Sequence, residues 1–337
     1  MSVYASIYGC SGTALTDEER RFFRDARPWG FILFARNIDE PEQVRRLIAD
    51  LREAAGHEAE VLIDQEGGRV QRLRPPHWRA YPPGRRFGEL YEQNVETGLH
   101  AARLGAKLIA AELRYLGFTV DCLPVLDVPV PGAHDVIGDR AYALTPGPVA
   151  ALGLAASEGL LAGGVLPVIK HIPGHGRAGV DSHLSMPVVD TPAVELEQID
   201  FAPFHALRHM PIAMTAHVVY SAYDAERPAT TSPLVIDKVI RGKIGFDGLL
   251  MSDDLSMAAL SGSLGERARA SLSAGCDLVL HCNGKMDEMR AVAPEVPILS
   301  GDALRRSEQA ISLRKASLVP LDIDQAWRQF TSLTAVS

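Results

Sequence analysis

The sequence has few of the features that mark nucleic-acid-binding or membrane proteins. Its 34 Lys and Arg residues are outnumbered by 42 Asp and Glu residues, so the 337-residue chain has a formal net charge of −8. Proteins that bind nucleic acid without sequence preference neutralise phosphates with basic side chains, so we expect no nucleic-acid partner. No apolar run is long enough to span a bilayer, and we expect no membrane association.

Cysteine is also scarce, and the signals that direct a chain to an oxidising compartment are missing. The four cysteines, Cys10, Cys122, Cys276 and Cys282, form no C-x-x-C pair and have apolar neighbours. We therefore expect buried, reduced thiols rather than disulfides. The first eight residues lack the basic and apolar segments of a secretory signal. These features predict a cytoplasmic protein, which we expect to be a monomer.

Several catalytic motifs are absent as well. There is no H-E-x-x-H zinc motif and no G-x-S-x-G nucleophile elbow. His171 and His175 have the spacing of a helical zinc pair, but Pro173 and Gly174 between them exclude a regular helix. We therefore expect neither a metal site nor a cofactor.

Eight short apolar runs, rich in β-branched residues, recur along the chain. Continuous apolar runs of this kind are typical of strands that are covered on both faces. The predicted strands are 3–8, 30–35, 60–64, 119–123, 166–170, 212–216, 248–252 and 277–281.

Segments with helical periodicity separate these runs. Thr16 and Glu19 form a capping box, Asp39 is placed to cap a helix that starts at Glu40 and Pro41, and Ser232 is placed to cap another. The predicted helices are 17–26, 40–55, 94–116, 146–163, 192–209, 232–243, 264–274, 286–292, 302–316 and 323–334.

Strand–helix alternation repeated eight times predicts an α/β fold, namely a (β/α)₈ TIM barrel. We expect one catalytic domain over residues 1–337, with helices at its C-terminus. The alternative, an open doubly wound sheet, usually carries a G-x-G-x-x-G loop after its first strand, and residues 8–12 do not contain one.

Polar residues are concentrated directly after the predicted strands, where the catalytic groups of such a barrel lie. They are Asp64, Glu66, Arg69, Arg72, Arg74, Arg79, Arg85, Arg86, Arg140, Lys170, His171, Asp181, His183, His217, Asp253 and His281. Their positions predict a shared polar cleft, and the arginines of 69–86 with Arg140 and Lys170 predict a locally basic mouth suited to an anionic substrate.

Structural roles compete with functional ones at several of these positions. Asp64 either serves the site or caps a loop at the barrel rim, and we expect Glu66 to accept hydrogen bonds from the Gly67-Gly68 turn. His217 and His281 either adjoin the site or are satisfied core residues. We expect the side chains of the four loop arginines to be solvated; these are Arg74, Arg79, Arg85 and Arg86.

Asp253, His183 and Asp181 together suggest glycosyl transfer to water. A carboxylate at a rigid strand end is suited to attack an anomeric carbon and form a covalent glycosyl-enzyme. His183 titrates near neutral pH and is suited to exchange protons with the leaving oxygen and with water, while Asp181 orients it. The proline and glycines of 173–179 allow that loop a conformational step.

Five motifs in this order resemble glycoside hydrolase family 3, and in particular its short, single-barrel bacterial β-N-acetylhexosaminidases of cell-wall recycling. The motifs are DQEGGRVQRL (64–73), VIGDR (136–140), KHIPGHG (170–176), DSH (181–183) and SDDLSM (252–257). They span the predicted barrel from its third strand to its seventh, and the general similarity covers nearly the whole chain.

The resemblance implies a retaining exo-hydrolase that removes terminal N-acetylglucosamine (GlcNAc) from GlcNAc-1,6-anhydro-N-acetylmuramyl peptides. It implies Asp253 as the nucleophile and His183 as the acid/base, paired with Asp181. The residues that it implies for holding the sugar are Asp64, Arg72, Arg140, Lys170 and His171.

This sequence departs from the family in the loop that leads to His183. Where the family often has Asp or Asn followed by Thr after P-G-H-G, this chain has Arg177-Ala178. The pair of Asp181 and His183, here called the dyad, is intact. A histidine acid/base also repels phosphate less than a carboxylate would. A β-N-acetylglucosaminide phosphorylase is therefore the alternative enzyme. The alternative that is not an enzyme is a catalytically silent barrel that binds sugar or peptidoglycan.

Overall fold

Eight parallel strands close into a barrel in the computed structural model of the chain, which describes residues 2–182, 184–316 and 318–335. The strands are β1 (Tyr4–Tyr8), β2 (Pro28–Leu33), β3 (Glu60–Ile63), β4 (Val120–Asp121), β5 (Leu166–Ile172), β6 (Ile212–Thr215), β7 (Leu249–Asp254) and β8 (Leu278–His281). Each strand pairs with its neighbours in sequence, and β8 pairs with β1. The predicted (β/α)₈ barrel, a single domain, is confirmed.

Helices connect the strands and cover the barrel. They are α1 (Asp17–Ala26), α2 (Pro41–Ala55), α3 (Gly84–Gln93), α4 (Val95–Leu116), α5 (Pro146–Ala162), α6 (Ala193–Gln198), α7 (Ala202–Ala206), a π-helical segment (Val235–Lys243), α8 (Leu264–Ala274), α9 (Met286–Val292), α10 (Gly301–Ala316) and α11 (Ile323–Thr334). Shorter helical turns cover Ala35–Asn37, Gly138–Arg140, Ala229–Thr231 and Ala293–Glu295. In the described part of the chain, no helix combines the length and the apolar character that crossing a membrane requires.

Two of the three predicted helix caps are confirmed. The Glu19 amide donates to Thr16 Oγ1 at 3.1 Å, and the Thr16 amide donates back to Glu19 at 2.8 Å. The Val235 amide donates to Ser232 Oγ at 3.1 Å. The prediction for Asp39 was wrong, because Pro41 takes the first helical position and makes residue 40 the cap.

The helix predicted over 192–209 is in fact two short helices, α6 and α7. Pro203 lies in the first turn of α7, where it has no amide hydrogen to continue a helix from α6. Asp200 lies in the break between them and is buried. The break therefore places a carboxylate where a continuous helix would not have held it.

One helix, α3, was missed because its arginines suggested a solvated loop. Phe87 and Leu90 are buried on one face of this helix. Gly84 and Gly88 lie four residues apart, and a Cβ built at either would overlap a backbone carbonyl oxygen, of Arg140 and of Tyr142 respectively. The two glycines therefore let α3 pack directly against the backbone of the segment that carries Arg140.

The predicted thiols are confirmed as free cysteines. Cys10, Cys122 and Cys276 are buried, and Cys282 is partly buried.

We predict that Gly88→Ala destabilises the protein, although alanine normally stabilises a helix relative to glycine by about 0.5–1 kcal/mol. The added methyl group overlaps the Tyr142 carbonyl oxygen, and relieving that overlap should cost about 1–3 kcal/mol of unfolding free energy, measured in urea. The matched control is Gly147→Ala in α5, where a methyl group meets no described atom within 4 Å. Equal stability of the two variants would show that the close approach is unimportant.

Candidate active site

The candidate catalytic residues lie at the carboxyl ends of the strands, where two strands are irregular. The pairing of β5 with β6 shifts register between Lys170 and Ile172, and the pairing of β7 with β8 shifts between Met251 and Asp254. Such irregularities turn side chains out of the regular alternation, and they are frequent beside active sites. Lys170 lies within its strand as predicted, and His171 and Asp253, which were predicted to follow their strands, lie within the strand ends as well.

Four of the five predicted sugar-binding residues are joined in one charge network. Lys170 Nζ lies 3.0 Å from Asp64 Oδ1 and 2.6 Å from Glu66 Oε1. Arg72 Nη2 donates to Asp64 Oδ2 at 3.0 Å. Arg140 binds Glu66 in a bidentate pair, with N–O distances of 2.9 and 2.8 Å. The network ties the ends of β3 and β5 to the segment around Arg140.

Mutual pairing keeps these buried groups ionised. Burial by itself would raise the pKa of Asp64, but Lys170 and Arg72 outweigh it and hold that pKa well below its usual range. Burial would also raise the pKa of Glu66, yet Arg140 and Lys170 lower it to about 2. Burial opposes the charge of Lys170, but the two carboxylates raise the pKa of its ammonium group.

The prediction that Glu66 accepts hydrogen bonds from the Gly67-Gly68 turn was wrong. Glu66 pairs with Lys170 and Arg140, whereas the amide of Gly68 in the turn donates to the Tyr81 carbonyl oxygen at 2.8 Å. The backbone satisfies the turn, which leaves the carboxylate to neutralise two buried cations. Sequence spacing could not reveal this, because Arg140 is 74 residues away.

The predicted basic mouth is not formed, because the loop arginines have local partners. Four of them form ion pairs: Arg79 with Glu112 at 2.8 Å, Arg85 with Glu92 at 3.1 Å, Arg86 with Glu89 at 3.0 Å, and Arg69 with Asp139 at 3.0 Å. The fifth, Arg74, donates to the carbonyl oxygens of Gln71 and Arg69. Arg69 also donates to the carbonyl oxygens of Val136 and Ile137 at 3.1 and 3.0 Å. Arg85 and Arg86 thus form pairs within α3, Arg79 binds α4, and Arg69 and Arg74 hold loop backbone, so none of them supplies a free positive charge.

A buried aspartate that the sequence analysis missed holds His171. Asp127 Oδ2 lies 2.7 Å from His171 Nδ1, and Asp127 Oδ1 accepts from the backbone amide of His175 at 2.6 Å. Burial would raise the pKa of Asp127, but His171 lowers it to about 2, so the carboxylate is ionised and accepts a hydrogen bond from the Nδ1–H group of His171. A single carboxylate inside the apolar run 122–130, directly after β4, was the signal that could have identified it.

His175 packs close to this pair as a neutral ring. Its ring centroid lies 5.6 Å from that of His171. Burial and the charge of His171 lower the pKa of His175 to about 4, against opposing effects of Asp127 and Asp253. His175 Nε2 lies 3.2 Å from Ser182 Oγ, which connects it to the loop that carries Asp181.

At the end of β7, the two adjacent aspartates have different surroundings. Asp254 is a structural acceptor, since it receives the Ser256 and Cys282 amides at 3.0 and 3.1 Å. Asp253 Oδ1 accepts from the Asp254 amide at 2.8 Å, and its charge acts on the rings of His175 and His217. The Asp254 carboxylate is thus engaged by backbone amides, whereas the charge of Asp253 reaches the buried ring of His175.

Both ring nitrogens of His217 have protein partners, whereas His281 has a partner at Nε2 and none among the described residues at its buried Nδ1. His217 Nδ1 lies 2.7 Å from Thr230 Oγ1, and its Nε2 lies 3.0 Å from the Asp254 carbonyl oxygen. His281 Nε2 lies 3.0 Å from Glu288 Oε2. His217 therefore stabilises the end of β7 through its contact with the Asp254 carbonyl oxygen.

The loop after β5 runs toward β7. Asp181 is within it, and the Ser182 carbonyl oxygen accepts from the Ala259 amide, beyond β7, at 3.1 Å. His183, the predicted acid/base, lies outside the described residues. Within residues 2–182, 184–316 and 318–335, no three His, Cys, Asp or Glu side chains are grouped so that they could hold a metal ion.

Comparison with known proteins defines the class. The Glycosyl hydrolase family 3 N terminal domain matches residues 9–311, and the chain belongs to this family. A Beta-hexosaminidase of Thioalkalivibrio sulfidiphilus is 41% identical over 287 residues, which cover 84% of this chain and 82% of the relative. One of Aromatoleum aromaticum is 37% identical over 335 residues, 96% of this chain and 92% of the relative. Within the family, the chain is a glycoside hydrolase of the β-N-acetylhexosaminidase type.

Solved structures agree with this assignment. NagZ from Neisseria gonorrhoeae, in complex with N-trifluoroacetyl-D-glucosamine, superposes with a TM-score of 0.88 at 32% identity and covers 99% of both chains. A glycoside hydrolase family 3 β-N-acetylglucosaminidase from Paenibacillus superposes with a TM-score of 0.85 at 30% identity, covering 98% of this chain and 67% of that one.

We predict that Glu66→Gln destabilises the protein in a pH-dependent way. Folding lowers the pKa of Glu66 from 4.5 to about 2, so the ionised carboxylate adds stability above pH 4.5 and loses it as the pH falls toward 2. At neutral pH the variant should lose about 3 kcal/mol of unfolding free energy, and the difference should narrow below about pH 4.5. Urea unfolding across this pH range measures it.

The matched control for this prediction is Glu158→Gln. Glu158 is 45% exposed and pairs with Arg103 on the surface. We expect its loss to cost less than about 1 kcal/mol. A Glu66→Gln deficit that stays constant with pH would contradict the assigned pairing.

Proposed function

We propose that the chain is a retaining exo-β-N-acetylglucosaminidase that releases non-reducing terminal GlcNAc from GlcNAc-1,6-anhydro-N-acetylmuramyl peptides. The observation that carries this proposal is the position of Asp253 at the irregular carboxyl end of β7, on the same barrel face as the charge network of Asp64 and Lys170. Groups at rigid strand ends are held firmly enough for nucleophilic attack.

Asp253 attacks the anomeric carbon of the bound sugar. The amide of Asp254 donates to Asp253 Oδ1 and so fixes the plane of the carboxylate, while Asp254 itself is engaged by Ser256 and Cys282. The bond to the leaving oxygen breaks as the glycosyl ester to Asp253 forms. Water then attacks the same carbon and releases the carboxylate, so that two inversions retain the configuration.

The charge network binds the sugar. Asp64 can accept hydrogen bonds from hydroxyl groups, and Arg72, Arg140 and Lys170 can donate to hydroxyl or acetamido oxygens through charge-assisted bonds. Because these groups are already paired with one another, they keep their orientation before the substrate arrives. His171 joins them. Its Nδ1–H group donates a hydrogen bond to Asp127, which leaves Nε2 as the ring nitrogen that can bind the sugar.

His183 and Asp181 move the protons. His183 protonates the leaving oxygen in the first step, and in the second step it takes a proton from the attacking water. Asp181, two residues before it in the loop, orients the ring and stabilises its charged form. The bond between Ser182 and Ala259 supports this assignment, because it brings the loop to the β7 side of the site.

The resemblance to cell-wall recycling enzymes supports the rest of the proposal. We infer a role in peptidoglycan recycling, a cytoplasmic location, a monomeric state and one catalytic domain over residues 1–337, with no cofactor.

We predict that Asp253→Asn lowers kcat/KM on an aryl β-N-acetylglucosaminide by at least about 10³-fold, because the amide cannot form the glycosyl ester. A 2-fluoro or 5-fluoro glycosyl inactivator should add one sugar mass to the wild type, on the peptide that contains Asp253. The matched control is Asp254→Asn, whose carboxylate accepts from the Ser256 and Cys282 amides and whose loss should mainly affect stability. Label on another residue would refute the assigned nucleophile.

We predict that loss of the dyad affects substrates according to their leaving groups. His183→Ala and Asp181→Asn should reduce kcat/KM by about 10²–10⁴-fold on GlcNAc-1,6-anhydro-N-acetylmuramic acid, whose leaving oxygen needs a proton. On a nitrophenyl glycoside, whose leaving group needs little protonation, the reduction should be much smaller. Equal losses on both substrates would contradict the acid role.

The same assays distinguish the alternative enzyme. Turnover of the disaccharide in phosphate buffer should yield free GlcNAc, identified by mass spectrometry. A dominant GlcNAc phosphate product would establish the phosphorylase, and binding without turnover would establish a sugar-binding barrel.

A further inference from the structure

The first half of the loop after β5 is fixed to the barrel by backbone contacts. The Tyr220 hydroxyl donates to the Gly174 carbonyl oxygen at 2.6 Å, and the His134 amide donates to the Ala178 carbonyl oxygen at 2.9 Å. A Cβ built at Gly176 would overlap the backbone of Val128. Residues 174–178 are therefore packed against Tyr220 and, at Val128 and His134, against the loop that follows β4.

Arg177 is the charged side chain in this fixed half, and it has two acidic partners. Its Nε donates to Asp200 Oδ2 at 2.7 Å, and its Nη2 lies 2.9 Å from Glu195 Oε1. The side chains of Arg177 and Asp200 are 11% and 1% exposed, so this is a buried pair. Asp200 lies in the break between α6 and α7.

The ionisation of Asp200 depends on Arg177. Burial raises the pKa of Asp200 to about 6, with Arg177 opposing that rise and the charge of Asp127 adding to it. At neutral pH, the guanidinium group thus faces an ionised carboxylate in a site that excludes most water. A hydrogen-bonded ion pair of this kind holds its two segments together in one geometry.

Directly after Ala178, the loop becomes exposed to solvent. Ala178 is buried, but a methyl group built at Gly179 would meet no described atom within 4 Å. Val180 is 40% exposed and Leu184 is 77% exposed. The exposed stretch therefore begins at residues 178–179, two residues before Asp181, and the chain is bonded again at the buried Ser182, whose carbonyl oxygen accepts from the Ala259 amide.

We propose that Arg177 is a positioning residue, which clamps the root of the loop to Asp200 and Glu195 and thereby sets the place from which Asp181 and His183 reach the leaving oxygen. The proposal rests on the proposed function, since it assigns proton transfer to that dyad. Arg177 itself does not contact the sugar in this scheme. Its effect on the reaction passes through the position of the dyad.

The test compares Arg177→Gln with the wild type on two substrates that differ in their need for an acid. A displacement of about 1 Å in a catalytic group can cost about 10²-fold in rate, so we expect kcat/KM on GlcNAc-1,6-anhydro-N-acetylmuramic acid to fall by about 10–100-fold. On nitrophenyl β-N-acetylglucosaminide we expect a fall of less than about 3-fold in kcat/KM, which reports formation of the glycosyl-enzyme.

A second readout isolates the base step. In Arg177→Gln, kcat on the nitrophenyl glycoside should fall, because water then lacks a well-placed base. Azide needs no base, so adding it should restore kcat and yield a glycosyl azide. A general loss of structure would not be rescued in this way.

Two further variants serve as controls for the clamp. Asp200→Asn removes the partner charge while keeping its shape, and it should reproduce the leaving-group dependence of Arg177→Gln. Arg103→Gln breaks the exposed pair with Glu158 and should leave both activities within about 2-fold of the wild type. Arg177→Lys keeps the positive charge but lacks the planar guanidinium group that can reach two carboxylates. Its kcat/KM on the disaccharide should lie between those of Arg177→Gln and the wild type.

The outcomes separate this proposal from the function on which it rests. Equal losses on both substrates, or no loss on either, in folded Arg177→Gln and Asp200→Asn would overturn the clamp. Asp181→Asn is measured in parallel. If Asp181→Asn itself showed no leaving-group dependence, the assignment of the dyad would fail instead.

Discussion

The arrangement of the strand ends around the site depends on the neutralisation of one buried ammonium group, that of Lys170. Lys170 is almost completely buried, and a cation in that position is tolerated only if anions surround it. Asp64 and Glu66, both from the segment that follows β3, supply those anions, and Glu66 in turn requires Arg140. The need to neutralise Lys170 therefore determines where β3, β5 and the segment around residue 140 can lie relative to one another.

The same network makes the proposed sugar site rigid in the absence of sugar. A group that is held by protein partners loses little conformational freedom when a hydroxyl group replaces water beside it. Asp127 has the equivalent effect on His171, since it fixes one ring nitrogen and the backbone of His175 at the same time. The packing of α3, through Gly84 and Gly88, fixes the backbone on which Arg140 is carried.

The proton-transfer part of the proposed site depends on a loop rather than on strand ends. In a retaining mechanism the attacking water enters where the leaving group departed, so a residue that serves first as acid and then as base acts twice at the same place. The loop must therefore hold that residue in one position, which requires a fixed root. The buried pair of Arg177 and Asp200 provides one, directly before the exposed residues 179 and 180.

The sequence by itself determined the eight strands and most of the helices, and it predicted the residues of the proposed site apart from Asp127. Apolar runs and caps are local patterns, and the strand ends of a parallel barrel bring their polar residues to one face whatever the side chains then do. The tertiary structure alone decided the partners. Glu66 binds Arg140 rather than its own turn, Asp127 holds His171, and Asp200 meets Arg177 through a break between α6 and α7. Ion pairs and hydrogen bonds depend on distances between residues far apart in the chain, and only packing sets those distances.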